Sequence, residues 1–312
     1  MIADVRVGTF LSGGVDSSIV TYEGYKINPK IECFSMGFTQ KEYNELQYAR
    51  KLAERYKLNW NVKTFNRDIF LEHYDRLRDW YDEPFADCSA FPTYIVSKMA
   101  REKVTVVLTG DGGDEVFGGY TRHKEIWLKE KEKAPDNLLV SYLYRKLYKN
   151  RFDYHWMDEL SYILMVVGED LQLDDKELRK RLGIPKDYDT FWKFRQYYFK
   201  ELPPMTRVQY LDFKTYLPED VLTKVDRVSM AVSLETRVPL LSRKIMEFSF
   251  SLSEEDRLPN GELKGILKKA YEEEVGRSIL YRKKMGFSMP YNFFRKGESV
   301  QEQLLKDLWV TR

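Results

Sequence analysis

The first hundred or so residues alternate between short β-rich apolar runs and segments whose apolar residues fall three or four apart. Val5 to Leu11 reads Val-Arg-Val-Gly-Thr-Phe-Leu, a short buried strand running into the glycines at 13 and 14, with a helix expected from near Ser17. Ile31 to Phe38 is a second strand-like run. It leads into an amphipathic helix carrying Leu46, Ala49, Ala53 and Tyr56 on one face, with Asn44 as its candidate cap. Trp60 to Phe65 predicts a third strand, Ile69 to Trp80 and Tyr94 to Ala100 two further helices, and Val104 to Leu108 a fourth strand. Strands alternating with helices predict an α/β fold, a parallel sheet with helices on both faces.

After about residue 125 the alternation stops. Charged stretches rich in Leu, Tyr and Lys follow, reading as helices with connections at Pro135, Pro185 and Pro203-Pro204. The expected division is an α/β core over residues 1–125 and a mostly helical part over 126–312 that returns to the cleft, because motif-like residues reappear between Lys224 and Leu241 and between Lys264 and Phe287.

The 312 residues are enough for one large α/β domain with a helical annex and an enzyme-sized cleft. Fifty-one Lys and Arg against 49 Asp and Glu leave a net charge of +2, which argues against a dedicated nucleic-acid or membrane binder. Cys33 and Cys88 are the only cysteines, so there is neither a disulfide framework nor a CxxC knuckle. His73, His123 and His155 share no metal-ligand spacing and are expected on the surface or satisfied in the core. No stretch approaches the ~20 apolar residues of a membrane helix, and the start lacks the apolar core of a signal peptide, so a cytoplasmic protein is expected.

Two loops carry candidate chemistry. Ser12-Gly13-Gly14-Val15-Asp16-Ser17-Ser18 stands where the first strand hands over to the first helix, the place where open α/β sheets bind ligands. Glycines admit an anion close to the backbone, and the hydroxyls and helix N-terminus supply donors, so this reads as a phosphate cradle; no Gly-Lys-Ser/Thr follows, so it is not a Walker loop. The bland alternative is a glycine-rich turn capped by serine. Thr109-Gly110-Asp111-Gly112-Gly113-Asp114-Glu115 follows the fourth strand in the same way and should emerge at the same sheet edge. Three carboxylates beside a phosphate cradle suit an intervening cation, with magnesium the natural candidate. An acidic helix N-terminus with Asp111 or Asp114 as cap is the competing account.

These loops, with Asp82-Glu83-Pro84-Phe85-Ala86-Asp87 between them and Gly118-Gly119-Tyr120 after, resemble the synthetase domain of the asparagine synthetase family, within the wider ATP-pyrophosphatase group. Tyr216-Leu217-Pro218, the segment Leu222 to Met230, Ser233-Leu234-Glu235-Thr236-Arg237-Val238-Pro239, Lys264-Gly265 and Lys284-Met285-Gly286-Phe287 extend the resemblance in order along nearly the whole chain. It implies an adenine-nucleotide α-hydrolase-like fold. It also implies activation of a carboxylate, that of aspartate in the leading reading, by attack on the α-phosphate of ATP. Pyrophosphate leaves, and ammonia captures the acyl-adenylate to give asparagine and AMP.

By the same resemblance Asp16 and Asp114 hold Mg²⁺, while Ser12, Gly13, Gly14, Asp16, Ser17, Ser18 and Gly110 bind ATP and its pyrophosphate. Lys264 faces the transferring phosphoryl group; taken alone it would read as a solvated lysine in a turn. Asp111 occupies the position where asparagine-forming members have Glu or Asp and β-lactam-forming relatives Tyr, and a carboxylate there can accept a proton from attacking ammonia. Glu235 is a second candidate base or substrate-ammonium contact, with an ion pair to Arg237 or Arg227 as the equal alternative.

Pro239-Leu240-Leu241-Ser242 departs from the family's Pro-Phe-Leu-Asp and lacks its carboxylate. The family also begins with a glutaminase domain bearing an N-terminal cysteine, whereas this chain starts almost at the phosphate cradle. The expected nitrogen source is therefore free ammonia, or a separate glutaminase chain or missing N-terminal domain. Competing readings are a related enzyme acting on a peptide or cell-surface sugar carboxylate, a tRNA-modifying adenylating enzyme, and a non-catalytic nucleotide-binding subunit.

Overall fold

The computed structural model describes residues 1–131, 180, 183–185, 188, 192–285, 289–290, 293–294 and 300–310. Its centre is a five-stranded parallel sheet of β1 (Val7–Phe10), β2 (Glu32–Phe38), β3 (Asn59–Phe65), β4 (Val106–Leu108) and β5 (Glu235–Arg237), in the order β3-β2-β1-β4-β5. The chain winds outward from β1 through β2 to β3, then crosses back to place β4 on the other side of β1. That reversal opens a crevice beyond the carboxyl ends of β1 and β4, where the two glycine-rich loops emerge.

The central strands are buried on both faces, which is why they read as continuous apolar runs rather than alternating ones. Successive side chains serve opposite cores. Phe34 and Val107 join a cluster with Phe65, Phe70, Phe91 and Ile95, whereas their neighbours Cys33 and Leu108 join Leu11, Ile19, Ile31 and Leu52 on the other face. The first cluster is aromatic at its centre, with Phe70 5.0 Å from both Phe91 and Phe294 between ring centroids.

The predicted helices are present with shifted bounds. Helix α1 (Val15–Ile27) starts before Ser17, with Gly14 in the capping position; α2 (Leu46–Tyr56) begins as expected. Asn44 does not occupy the capping position of α2, which is Glu45. Its Oδ1 accepts from Leu46 N–H at 3.0 Å while its Nδ2 donates to Phe38 O at 2.9 Å, tying the end of β2 to the helix. The helix expected over 69–80 is broken into α3 (Arg67–His73), a 3₁₀ turn and α4 (Leu77–Trp80), with Asn66 capping α3 through Ile69 N–H. Helix α5 (Ala90–Arg101) is longer than its apolar pattern and takes Pro92 into its first turn, where a missing N–H costs nothing.

Beyond β4 come α6 (Gly113–Phe117), α7 (Thr121–Lys131), α8 (Trp192–Gln196), α9 (Pro204–Lys214), a wide turn over Leu217–Leu222 and α10 (Thr223–Met230). Short helices follow β5. The helices expected between residues 132 and 179 lie outside the described residues, as do His155, Gly286 and Phe287. The later part is not wholly helical: β5 pairs in parallel with β4, with Thr109 N–H donating to Arg237 O and Glu235 N–H to Thr105 O, each at 2.9 Å. The two described histidines are core residues, His73 bonded to Ile69 O and His123 to Asp212. Among the described residues no helix is long and apolar enough to cross a membrane.

Candidate active site

The first loop is held by its own polar groups. Ser12 Oγ accepts from Gly14 N–H at 3.2 Å and lies 2.8 Å from Ser17 Oγ, which accepts from Ser12 N–H and donates to Gly14 O. Gly13 has a φ of 84°, and a Cβ there would come within 2.6 Å of Ala49 N, so both backbone conformation and space demand glycine. The loop delivers the start of α1, a thirteen-residue helix, to the crevice. Ser12, Gly14, Asp16 and Ser17 line the cleft, but Ser18 does not: it is fully buried behind the loop.

The second loop packs against the first without clearance. A Cβ on Gly110 would stand 2.7 Å from Ser17 N, and one on Gly113 would overlap the Asp16 carboxylate. Gly112, at φ 81°, precedes α6 and rests on Leu241, while Leu240 lies against Gly113. The departure at Pro239–Ser242 therefore supports the loop by apolar packing.

Lys264 enters from the helical part and joins the loops. Its Nζ pairs with Asp16 Oδ2 and stands 2.7 Å from Asp114 Oδ1, on a side chain almost wholly buried. Lys284 Nζ reaches the same Asp114 oxygen at 2.6 Å and the Gly119 carbonyl at 2.9 Å. Burial opposes the Lys264 charge, but Asp114 and Asp16 outweigh it and hold the ammonium protonated above the ordinary lysine range. Burial likewise opposes ionisation of Asp114, yet its two lysines hold the carboxyl well below the usual range.

Asp16 and Asp114 fit a magnesium ion accompanying phosphates. Asp16 Oδ1 is buried without a hydrogen-bond partner, and it belongs to a carboxylate beside the cradle. Among the described residues no group of three or more His, Cys, Asp or Glu could hold a metal unaided. Two carboxylates completed by phosphate oxygens and water are the usual magnesium arrangement.

The cleft, of about 970 Å³, continues from these lysines to a second charged group. Lys224 Nζ lies 2.8 Å from Asp87 Oδ2, and Asp87 Oδ1 accepts from Ser89 N–H at 2.8 Å. Burial, reinforced by Asp87, pushes the Asp220 carboxyl up to about 7 against the opposing pull of Lys224. Asp111 lines the same region, its carboxyl raised by burial and held back by Lys224. The sequence reading did not single out Lys224, Asp87, Asp220 or Lys284 as site residues. Lys224 and Asp87 are 137 positions apart, a distance at which no local pattern announces a pair.

Glu235 is not brought to the cleft. In β5 it pairs in register with Val106, at the amino end of the strand rather than the carboxyl edge. Its carboxylate is half-exposed and bonded to Arg237 Nε, the ion pair anticipated as the alternative.

Beneath the second loop, Asp212 accepts from Arg122 at 2.8 and 3.1 Å and lies 2.7 Å from His123 Nε2. Arg122 stacks 3.9 Å from the Tyr120 ring centroid, and Tyr120 donates to Glu115 Oε1 at 2.6 Å. This buried network carries the floor of the site.

A switch-point crevice with a phosphate-type cradle and an acidic glycine-rich loop defines an α/β protein of the adenine-nucleotide α-hydrolase type. Residues 1–309 match the model of the asparagine synthase family, and the chain belongs to that family. It is similar to the glutamine-hydrolyzing asparagine synthetase 1 of Bacillus subtilis, 32% identical over 312 residues, covering 96% of this chain and 48% of that protein. A putative glutamine-hydrolyzing asparagine synthetase of Mycobacterium tuberculosis is 31% identical over 310 residues, with the same two coverages of 96% and 48%. A putative glutamine-hydrolyzing asparagine synthetase 2 of Methanocaldococcus jannaschii is 49% identical over 125 residues, which is 39% of this chain and 24% of that protein. The chain thus spans about half the length of the first two relatives.

Proposed function

We propose that this chain is the synthetase part of an AMP-forming carbon–nitrogen ligase that makes asparagine from aspartate, ATP and ammonia in the cytoplasm. The observation that carries the reading is the convergence of Lys264, Asp16 and Asp114 at the carboxyl ends of β1 and β4, with the Lys224–Asp87 group in the same cleft. Residues 1–125 act as the nucleotide-binding core, and residues 126–312 complete both the ATP and the acceptor site.

The acceptor carboxylate attacks the α-phosphorus of ATP, forming an acyl–oxygen–phosphorus bond as the bond to the β-phosphate oxygen breaks and pyrophosphate leaves. The first loop, through Ser12, Gly13, Gly14 and Ser17 with Gly110 opposite, binds the nucleotide, while the buried Ser18 supports the loop from behind, and backbone N–H groups at the start of α1 face the departing pyrophosphate. Lys264 offsets charge on the phosphoryl oxygens as it redistributes. Asp16 and Asp114 are the residues that would hold magnesium, which neutralises phosphate charge when bound. Ammonia then attacks the acyl carbon, AMP departs with the bridging oxygen, and Asp111 accepts the proton the nitrogen sheds.

The mixed charge around Lys224, Asp87 and Asp220 favours an acceptor carrying both an ammonium and a carboxylate, as free aspartate does. A sugar carboxylate offers no ammonium for the acidic residues. Nitrogen arrives as ammonia, either free or released by a glutaminase domain or chain acting as partner. The test is pyrophosphate release across a panel of carboxylates with ammonium. Aspartate-dependent formation of AMP and pyrophosphate in equal amounts is expected; ADP and orthophosphate would reject the mechanism, and preference for a peptide or sugar acid would reject the acceptor.

A further inference from the structure

The turn after Leu280 carries two cations that reach opposite loops of the cleft. Arg282 Nε donates to the Gly13 carbonyl at 3.2 Å, and another of its nitrogens pairs with Glu45 at the start of α2. Both side chains are about nine-tenths buried, and the guanidinium lies 4.6 Å from the Tyr48 ring centroid. Two residues later, Lys284 bonds Asp114 and the Gly119 carbonyl. One short segment, 269 positions from Gly13 and 170 from Asp114, thus ties both glycine-rich loops together.

What Arg282 holds is a peptide group whose orientation matters. The Gly13–Gly14 peptide is pinned at both ends, its N–H by Ser12 Oγ and its C=O by Arg282. Glycine on either side leaves this peptide freer to turn over than any other residue pair would. Turned over, it would aim a carbonyl oxygen toward Ser12 Oγ on the cleft side of the loop, the side on which an anion is to bind. A guanidinium seated on a buried carboxylate and an aromatic face keeps that oxygen away.

We propose that Arg282 is a positioning residue for pyrophosphate binding: by fixing the Gly13 carbonyl, it presets the anion-binding face of the first loop. The proposal rests on the reading of that loop as the phosphate cradle. It applies to the part of the nucleotide beyond the α-phosphate, since AMP places nothing against the pyrophosphate end of the loop.

The experiment is equilibrium binding of Mg·ATP, inorganic pyrophosphate with magnesium, and AMP to the full chain and to Arg282→Met and Arg282→Lys. Arg282→Met is expected to weaken ATP and pyrophosphate by about tenfold or more, the scale of a charge-assisted hydrogen bond, and AMP by less than about twofold. Arg282→Lys should recover part of the loss. Equal weakening of AMP, or no change in any ligand, overturns the positioning role. Wild-type protein that binds AMP but not pyrophosphate sinks the cradle reading itself. If Arg282→Met fails to fold because Glu45 is left buried and unpaired, the double variant with Glu45→Gln removes the orphan charge and carries the same comparison.

Discussion

Lys264 Nζ stands 2.7 Å from Asp114 Oδ1 while pairing with Asp16 on its other side, so one ammonium from the helical part holds together carboxylates from two different loops. An amine there can exchange its carboxylate partners for phosphate oxygens when nucleotide arrives. Lys284 holds the same Asp114 oxygen.

Lys264→Met is expected to slow adenylate formation by about a hundredfold while changing ATP affinity much less, since a charge aimed at the phosphoryl group counts most in the transition state. Single-turnover pyrophosphate release set against equilibrium ATP binding separates the two. Equal losses in both would place Lys264 outside this role.

Asp16→Asn and Asp114→Asn each keep shape and remove one carboxylate charge from the proposed magnesium site. Turnover should collapse in both with the fold retained, as judged by circular dichroism and thermal melting. Near-normal rates for both at saturating magnesium would remove the shared-metal assignment.

Gly113→Ala offers a finer probe, because its added methyl would overlap the Asp16 carboxylate while Leu240 blocks retreat on the other side. The expected outcome is loss of activity comparable to Asp16→Asn, with magnesium-dependent ATP binding weakened. An active Gly113→Ala enzyme would show that the two loops are not locked at this contact.

Much of this arrangement is legible in the sequence because strand-to-helix junctions have local chemistry. Ile31 to Phe38 and Val104 to Leu108 show as apolar runs because strands buried on both faces need no alternation. Gly13 and Gly112 announce backbone that other residues disfavour. By contrast, Glu235-Thr236-Arg237 carries no apolar signature; β5 exists because β4 offers an edge, and the resulting register is what removes Glu235 from the cleft. Lys224 meets Asp87 only through the tertiary fold. Trp60 to Phe65 was readable as a strand, but not as the exposed edge it forms.

Asp212 should be the most stability-sensitive acid beneath the site. It is buried between Arg122 and His123, and the guanidinium outweighs burial to hold its carboxyl below the usual range. Asp212→Ala leaves a largely buried guanidinium unpaired and should cost about 3–5 kcal/mol in urea unfolding. For the wild type, a depressed carboxyl contributes stability above its unfolded pKa and loses it as pH falls through the folded value. The variant should therefore lack this part of the acid-side decline; a loss below about 1 kcal/mol would contradict the network.

Asp220 carries the opposite sign. Burial and the Asp87 charge raise its carboxyl to about 7, above the unfolded value of about 3.9. Its contribution is therefore present at low pH and lost as pH rises through about 7. Ligand-free wild type should lose stability between about pH 4 and about pH 7 relative to Asp220→Asn, which cannot ionise. Parallel urea midpoints for the two proteins over that interval would exclude the raised carboxyl.

The nitrogen source gives the last prediction. Glutamine hydrolysis by a thiol requires an accessible thiolate, and these 312 residues contain only Cys33 and Cys88. Burial pushes the Cys33 thiol up to about 11 and the Cys88 thiol up to about 12, so neither is ionised near neutral pH. Protein of this sequence should therefore form product with ammonium and release no glutamate from glutamine. With unprotonated ammonia as the nucleophile in the proposed reaction, the rate at limiting ammonium should climb with pH as long as the fold survives. Adding a separate glutaminase chain should restore use of glutamine. Glutamate released in step with product, from glutamine and this purified chain alone, would prove that another residue here does the hydrolysis.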